Sequence, residues 1–271
     1  MTETPGAERP KILVTNDDGY ASAGIIALAA ALSVVGEVTV VAPDQDNSGI
    51  GHQISIKHPV RVSEIPGRAV RTFRCSGTPA DCVVIGVFEL CGGKPSLVVS
   101  GINRGANAGD DLNYSGTVAA ATEGVVVGVP SMAISLAASW PEHSDEHHWD
   151  VAAKVGVRFA REILSEGLPR LTLLNVNVPN VTEKELRGAR WTRQGRKGYR
   201  DRVERRSDPR GGTYFWLWGA FDAADIVDGT DLAAIRDGYV SVSPITIDRT
   251  DHDELGRRFR ISQSFAAGPA T

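Results

Sequence analysis

The chain has 271 residues, of which 42% are hydrophobic and 23% are charged, and this composition is ordinary for a globular protein. The net charge is -4, from 29 Lys and Arg against 33 Asp and Glu, so the charge balance does not favour nucleic acid or an acidic membrane as a partner. The three cysteines, Cys75, Cys82 and Cys91, are odd in number and lack CxxC spacing, which argues against a disulfide framework or a cysteine zinc site.

The first ten residues, Met1–Pro10, are polar and contain no apolar segment of the kind found in secretory signals. No apolar run elsewhere reaches the length needed to span a membrane. We therefore predict a disordered leader over residues 1–10 and a cytoplasmic protein that binds no membrane. The length allows one large domain or two small ones.

A short apolar segment, Ile12–Val14, predicts a buried strand, and a helix is predicted from Ser22 to Leu32. The loop between them contains two adjacent carboxylates, Asp17 and Asp18. A strand followed by a helix places such a loop at the carboxyl edge of an α/β sheet, where ligands bind. Neighbouring ionised groups repel each other, and a divalent cation would offset that repulsion. The alternative is an ordinary turn, since Asn, Asp and Gly are common turn residues.

The valine-rich segment Glu37–Ala42 predicts a second buried strand, and a second polar loop, Pro43–Gly49, follows it. Val60–Ile65 and Ala69–Arg74 alternate apolar and polar residues, which predicts a solvated hairpin. A helix with Thr78 as its N-cap is predicted next.

Ser96–Ser100 predicts a third buried strand, and a polar loop, Gly101–Asp111, follows it. The next helix, Val118–Val127, consists almost wholly of small and β-branched residues, so we predict that it is buried on nearly every face. Its unpaired backbone N–H groups near Thr117 need an acceptor, and a bound anion would supply one.

Strand and helix continue to alternate through Ser131–Leu136, Val151–Leu164 and Leu171–Val176, which predicts a doubly wound α/β sheet. Glu142–His148 is predicted to be a polar loop, in which His147 and His148 lack a third metal ligand at useful spacing.

After about residue 180 the pattern changes and no separate core is evident. Arg187–Arg210 is rich in arginine and glycine, Tyr214–Trp218 is strand-like, Asp231–Arg236 predicts a short helix and Gly238–Pro244 a strand. We predict an α/β core over residues 11–180. Residues 181–271 are predicted to be an arm that packs on the core or on another subunit.

Three predicted strand ends thus carry oxygen donors: Asp17 with Asp18, Ser48, and Asn103. Carboxylate, hydroxyl and amide oxygens suit Mg²⁺, Mn²⁺ or Ca²⁺ and do not suit zinc or copper. Together with an anion seat at Thr117, they predict a phosphoryl site. Neither the GxGxxG turn of dinucleotide-binding proteins nor the phosphate-binding P-loop is present. His52 lies near Ser48 and could act on a leaving group, although a structural role is the simpler interpretation.

Several short motifs in combination resemble the SurE family of metal-dependent 5′(3′)-nucleotidases. The motifs are VTNDDG (Val14–Gly19), AP with NSG (Ala42–Pro43, Asn47–Gly49), GTPADC (Gly77–Cys82), SGINRGAN (Ser100–Asn107), YSGTVAAATEG (Tyr114–Gly124), NVNVP (Asn175–Pro179) and GYVSVSP (Gly238–Pro244).

The resemblance implies a three-layer, Rossmann-like α/β/α core with a mostly parallel sheet and a C-terminal arm of β-hairpin and helix. It implies hydrolysis of nucleoside monophosphates, with 3′-nucleotides and short polyphosphate as further substrates. It also implies that homodimers or homotetramers form through the oligomerisation arm of residues 181–271, whose last strand returns to the catalytic core of residues 11–180. The acidic neighbours of the arginine-rich segment and the negative net charge predict no nucleic-acid partner. One divalent ion per subunit, Mg²⁺ or Mn²⁺ with Ca²⁺ able to replace it, is implied on Asp17, Asp18, Ser48 and Asn103. The implied phosphate-binding residues are Asn16, Gly49, Asn107, Ser115, Gly116 and Thr117.

Asp17 and Asp18 are the predicted catalytic residues, with Asp17 orienting or deprotonating the attacking water. Direct attack by an aspartate is an alternative left open, although the DxDxT pattern sought for it is missing. The rival hypothesis is a regulatory module that binds a nucleotide without turnover. A third is RNA binding by the arginine-rich segment.

Overall fold

The computed structural model describes residues 9–138, 146–197, 199–221 and 226–258. The strands are β1 (Lys11–Thr15), β2 (Glu37–Pro43), β3 (Val62–Glu64), β4 (Arg71–Cys75), β5 (Leu97–Arg104), β6 (Ser131–Ala137), β7 (Thr172–Pro179), β8 (Ala189–Trp191), β9 (Tyr199–Ser207), β10 (Thr213–Phe221) and β11 (Val240–Thr246). The α-helices are α1 (Ala23–Leu32), α2 (Pro79–Ile85), α3 (Gly116–Val126), α4 (Trp149–Glu166) and α5 (Asp231–Arg236).

Nine strands form one sheet in the order β3-β4-β2-β1-β5-β6-β7-β11-β8. The six central strands from β4 to β7 are all parallel, whereas β3 and β11 run antiparallel to β4 and β7. From β1 the chain continues to β2 on one side of it, whereas β5 and the strands that follow lie on its other side. The direction in which strands are added to the sheet therefore reverses between β1 and β5. This switch point is where open α/β sheets bind their ligands.

Alternate residues of the buried strands face opposite helical layers. Ile12 and Val14 pack with α1 and α4 in one apolar cluster, whereas Leu13 packs with α2 and Ala120 of α3 in another. The predicted three-layer α/β/α core with a mostly parallel sheet is therefore confirmed. None of the helices in the described ranges combines the length and the apolar run that crossing a bilayer requires.

The predicted hairpin at residues 60–74 forms, but its environment differs from the prediction. β4 pairs with β3 on one side and lies parallel to β2 on the other, which makes it part of the main sheet. Phe73 is buried there as a result. The predicted solvated character holds for β3, the edge strand, where Ser63 and Glu64 are exposed.

The C-terminal segment contributes to the sheet and also extends away from it. β8 and β11 join the main sheet, while β9 and β10 form a separate two-stranded hairpin. Asp231, at the start of α5, is fully buried and accepts backbone N–H groups from Gly109, Gly195 and Leu232, each at 2.8 Å. This carboxylate ties the C-terminal segment to the loop that leads into α3. The domain boundary at residue 180 stays a prediction.

Candidate functional site

Asp17 lies at the centre of the candidate site, directly beyond the end of β1. It is buried, and its Oδ1 accepts a hydrogen bond of 2.5 Å from the Thr117 hydroxyl at the start of α3. A Cβ added at Gly116 would lie 2.8 Å from both Cβ and Oδ2 of Asp17. Only a residue without a side chain therefore allows the first turn of α3 to pack this closely on the carboxylate.

Loops from four elements meet around this aspartate. The backbone N–H of Asn47, in the loop after β2, donates to the Asp17 carbonyl at 2.8 Å. The backbone N–H of Arg104, at the end of β5, donates to Oδ2 of Asp18 at 3.4 Å. The structure thus brings the loops after β1, β2 and β5 and the N-terminus of α3 together, as the strand-end argument predicts for one edge of the sheet.

The electrostatic environment favours a cation beside the two aspartates. Burial raises the pKa of Asp17, against hydrogen bonds from Thr117 that lower it. Burial, followed by the charge of Asp17, raises the pKa of Asp18 to about 6. Crowded carboxylates of this kind become easier to ionise when a positive charge lies between them.

Ser48 and Asn103 have partners that leave oxygen lone pairs for coordination. The Ser48 hydroxyl donates to Asp46 at 2.6 Å, and a hydroxyl keeps acceptor capacity when it donates. The Asn103 amide nitrogen donates to the Gly105 carbonyl at 2.9 Å, which orients its amide oxygen. A register shift in β5 between Gly101 and Asn103 marks a bulge, and bulges redirect side chains next to sites.

Within the described ranges, no group of three or more His, Cys, Asp or Glu side chains is arranged to hold a metal ion. A cation at Asp17 and Asp18 would therefore depend on neutral oxygens, such as those of Ser48 and Asn103, for further ligands. Such a donor set fits a hard divalent ion and does not fit zinc.

The predicted phosphate-binding residues differ in their surroundings. Ser115 is the N-cap of α3, and its hydroxyl accepts from the Val118 N–H at 3.0 Å. Gly49 is exposed, and its φ of 76° suits glycine. Asn16 holds the β1–α1 loop, because its amide nitrogen donates to the Gly19 carbonyl at 3.0 Å and to Ser22 at 2.8 Å.

Asn107 lies in a buried polar network one strand away from Asn103. Its amide nitrogen donates to Ser135 at 2.8 Å, and Ser135 pairs with Asn103 in the sheet. Its backbone N–H donates to Asn177, and its carbonyl accepts from Asn175 and Asn177. In this conformation the Asn107 side chain fixes the loop after β5, so a direct phosphate contact stays a prediction.

Sequence reasoning missed several residues at this edge of the sheet. Asp46 accepts both the backbone N–H and the hydroxyl of Ser48, and these bonds lower its pKa. Arg104 and the stacked pair His147 and Trp149 line a cavity that also contains Asp18 and Asp46. His147 was predicted to lie in a solvated polar loop, Glu142–His148, but its ring is half-buried and stacks on Trp149. Residues 142–145 of that loop lie outside the described part of the chain. His52 binds Glu123 of α3 at 2.8 Å, in agreement with a structural role.

The fold and the site together define a doubly wound α/β protein with a candidate cation and anion site at its switch point. The family model described as "Survival protein SurE" matches residues 12–201. A relative from Chloroflexus aggregans named "5'-nucleotidase SurE" is 49% identical over 252 residues, which cover 91% of this chain and 98% of the relative. A relative of the same name from Geobacter sulfurreducens is 46% identical over 244 residues, or 90% of each chain.

Among solved structures, the "Crystal Structure of Sure Protein from Aquifex aeolicus" matches with a TM-score of 0.80 and 40% identity, covering 93% of this chain and 100% of that one. The chain therefore belongs to the SurE family, and the resemblance inferred from the motifs is confirmed.

Proposed function

We propose that the protein is a metal-dependent nucleotidase that hydrolyses nucleoside 5′-monophosphates to nucleoside and phosphate. The observation that carries this proposal is the close packing of the α3 N-terminus on Asp17, next to Asp18. That arrangement combines carboxylates suited to a cation with a helix terminus suited to an anion. The names of the curated relatives, "5'-nucleotidase SurE", support the same reaction.

One divalent ion per subunit, Mg²⁺ or Mn²⁺, is proposed on Asp17, Asp18, Ser48 and Asn103, with Ca²⁺ able to occupy the site. When bound, such an ion neutralises phosphate oxygens and lowers the pKa of a coordinated water. The Thr117 hydroxyl holds Asp17 in one orientation, and Asp46 holds the Ser48 hydroxyl.

The protein's own groups position the substrate phosphate and the nucleophile. The Gly116 backbone N–H and the Ser115 hydroxyl, at the positive end of α3, orient the phosphate oxygens. Asp17 orients the attacking water in line with the bond to the leaving nucleoside oxygen and accepts a proton from that water. As the new P–O bond forms, the bond to the nucleoside oxygen breaks, and that oxygen takes a proton from solvent. The alternative of direct attack by an aspartate predicts a phosphorylated enzyme that can be trapped. Activity on 3′-nucleotides and short polyphosphate is proposed from the family resemblance alone.

The test is Asp17→Asn, which keeps the shape of the side chain and removes its charge. Phosphate release from a nucleoside monophosphate panel should fall about 100-fold, while the circular dichroism spectrum stays unchanged. Asp228→Asn is the matched control, because its side chain is 95% exposed and its ion-pair partner is Arg236 of α5. A chelator should abolish wild-type activity, and Mn²⁺ or Mg²⁺ should restore it. If Asp17→Asn kept nearly wild-type activity, Asp17 would not be a metal ligand or catalytic residue. If the wild type bound a nucleotide without releasing phosphate, a regulatory module would be favoured.

We also propose that the C-terminal arm forms a homodimer, which can pair into a tetramer. Phe215, Trp216 and Leu217 of β10 and Val203 of β9 are exposed on the hairpin. Exposed apolar patches of this kind mark interfaces between proteins. The arginines beside them have acidic neighbours, as in the contact of Arg206 with Glu204 at 2.8 Å, which weakens the case for an RNA-binding surface.

A further inference from the structure

The start of α2 carries a capping motif that the proposed mechanism does not use. Thr78 is the N-cap of this helix, and Asp81 is its third residue. The Thr78 N–H donates to Oδ2 of Asp81 at 2.8 Å, and the Asp81 N–H donates to the Thr78 hydroxyl at 3.2 Å. These reciprocal bonds form a capping box, which satisfies N–H groups at the start of a helix. The cap uses only one of the two carboxylate oxygens of Asp81.

The second oxygen of Asp81 binds a distant part of the chain. We call residues 51–55 the strap, and they belong to no helix or strand. The Ser55 N–H donates to Oδ1 of Asp81 at 3.0 Å, and the Thr78 hydroxyl donates to the Gln53 carbonyl at 2.7 Å. Two side chains at the start of α2 thus supply the partners that a neighbouring strand would otherwise give to the backbone of the strap.

The carboxylate of Asp81 has little freedom to move. The residue is buried, and its two oxygens each accept a different backbone N–H. A Cβ at Gly77 would lie 2.5 Å from Oδ2 of Asp81 and 2.8 Å from its Cβ, so only glycine fits at this position. A buried acceptor that loses its donor is unfavourable. The contact with Ser55 therefore holds the strap in one place on α2.

The strap also contacts the helix that begins at the candidate anion site. The Gly51 N–H donates to the Tyr114 carbonyl at 3.0 Å, directly before the N-cap of α3. His52 binds Glu123 of α3 at 2.8 Å. The strap begins two residues after Gly49, one of the proposed phosphate-binding residues. It therefore links three elements, namely α2, the loop after β2 and the start of α3.

We propose that Asp81 is a positioning residue, which acts through the strap to hold the loop after β2 against the start of α3. The proposal rests on the proposed function. The proposed metal ligands have supports of their own, because the Asn47 N–H donates to the Asp17 carbonyl and Asp46 accepts the Ser48 hydroxyl. Loss of the strap contact should therefore weaken binding of the nucleotide and spare binding of the metal.

The experiment measures kcat and KM for GMP at saturating Mn²⁺ in two variants that release the strap differently. Asp81→Asn keeps one side-chain oxygen, which cannot accept from both Thr78 and Ser55. Ser55→Pro removes the N–H of the strap and leaves the residues of α2 unchanged. Each variant should raise KM about three- to tenfold, which corresponds to the loss of one hydrogen bond, and leave kcat within about twofold of the wild type. The Kd for Mn²⁺ without nucleotide should stay within about threefold.

Two matched controls accompany these variants. Ser55→Ala keeps the N–H that Asp81 accepts, and Asp150→Asn makes the same change at an exposed residue in the first turn of α4. Both should show wild-type kcat and KM. A partial loss of folded protein lowers the apparent kcat and leaves KM unchanged, so the two constants separate positioning from a merely structural role. If Asp81→Asn did not fold, Ser55→Pro against Ser55→Ala would decide the question.

Trypsin reports on the strap without any assay of activity. Lys57 is exposed and lies two residues after the strap. Cleavage there depends on transient local opening of the chain. It should be about three- to tenfold faster in Asp81→Asn and Ser55→Pro than in the wild type, as measured by mass spectrometry of the fragments.

The other outcomes overturn the proposal in distinguishable ways. A lower kcat at unchanged KM in Asp81→Asn, with wild-type kinetics in Ser55→Pro, would mean that Asp81 only stabilises α2. Faster cleavage after Lys57 with unchanged KM in both variants would mean that the strap does not position the site. A tenfold rise in the Kd for Mn²⁺ would mean that the strap acts on the metal ligands instead. If the wild type released no phosphate with any metal, the proposed function would fail. The Kd for GMP in the presence of Mn²⁺ would then take the place of KM in the same comparison, and a wild type that bound no GMP would overturn both proposals.

Discussion

Thr117→Val removes one hydroxyl from the buried contact with Asp17 and otherwise nearly preserves the shape of the side chain. Thr117 is fully buried, and its hydroxyl donates to Oδ1 of Asp17 at 2.5 Å. Hydrogen bonds to charged groups contribute about 1.5–3 kcal/mol. If Asp17 is a metal ligand, loss of this partner should weaken metal binding about 10–100-fold.

The assay is a calorimetric titration with Mn²⁺ in the absence of nucleotide, followed by phosphate release from GMP at saturating Mn²⁺. We expect the Kd for Mn²⁺ to rise at least about tenfold in Thr117→Val. Thr117→Ser is the matched control, because it keeps the hydroxyl and loses only a methyl group. It should bind Mn²⁺ within about threefold of the wild type, since the hydrogen bond is retained.

The titration without nucleotide separates two roles of Thr117. A residue that supports Asp17 changes metal affinity whether or not substrate is present. A residue that only contacts the substrate phosphate changes GMP hydrolysis and leaves the Mn²⁺ titration unchanged. Wild-type affinity for Mn²⁺ in Thr117→Val would therefore refute the role inferred from the contact between Thr117 and Asp17.

Two further predictions concern the helix packing and the arm. A Cβ at Gly116 would lie 2.8 Å from Cβ of Asp17, about 0.7 Å inside normal contact distance. Gly116→Ala should therefore displace the Asp17 carboxylate and lower kcat/KM about 10–100-fold. Gly256→Ala is the control, because a Cβ there meets nothing within 4 Å, and it should leave kcat/KM unchanged. Equal kcat/KM for Gly116→Ala and the wild type would contradict the prediction. Leu217 is 79% exposed on the hairpin, so Leu217→Glu should shift the molar mass measured by light scattering from dimer to monomer. Val34→Glu, at an exposed apolar residue outside the arm, should leave the molar mass unchanged. If Leu217→Glu remained a dimer, the dimer contact would have to lie outside this part of the hairpin.

The sequence was most informative where apolar strands end in polar loops. Ile12, Leu13 and Val14 are all fully buried, as a continuous apolar run in a parallel sheet requires. A central parallel strand must end at the same edge as its neighbours, so the loops that follow are expected to meet. The convergence of the loops after β1, β2 and β5 could therefore be predicted without knowing the strand order.

Partner choice between strands could not be predicted in the same way. Alternation around Phe73 shows that one face of β4 is buried, but it does not show which strand lies beside it. The backbone of β4 pairs on both edges, with β3 and with β2. The N–H and C=O groups that form these pairs are common to all residues except proline, so they do not identify the neighbouring strand. The prediction of a solvated hairpin was wrong for β4 because a pattern of side chains says little about neighbouring backbones.

Arg104, His147 and Trp149 were missed for a related reason. His147 and Trp149 lie more than 40 residues beyond Arg104 in the chain, and no spacing rule links the three residues. They share a cavity only because α4 begins beside α1 and β5 ends beside β1. Asp46 could have been found, since an Asp two residues before a Ser often accepts its N–H, as it does here at 2.8 Å.

The contact between Asp17 and α3 joins the folding of the protein to its chemistry. Burial of a carboxylate is unfavourable, and Asp17 is compensated chiefly by Thr117, which lies 100 residues further along the chain. The compensation therefore exists only after β5 has paired with β1 and α3 has packed across the sheet. A site built in this way is formed only in the completed core, and its two carboxylates remain crowded there. The same crowding that destabilises the carboxylates on their own would favour the cation proposed for this site.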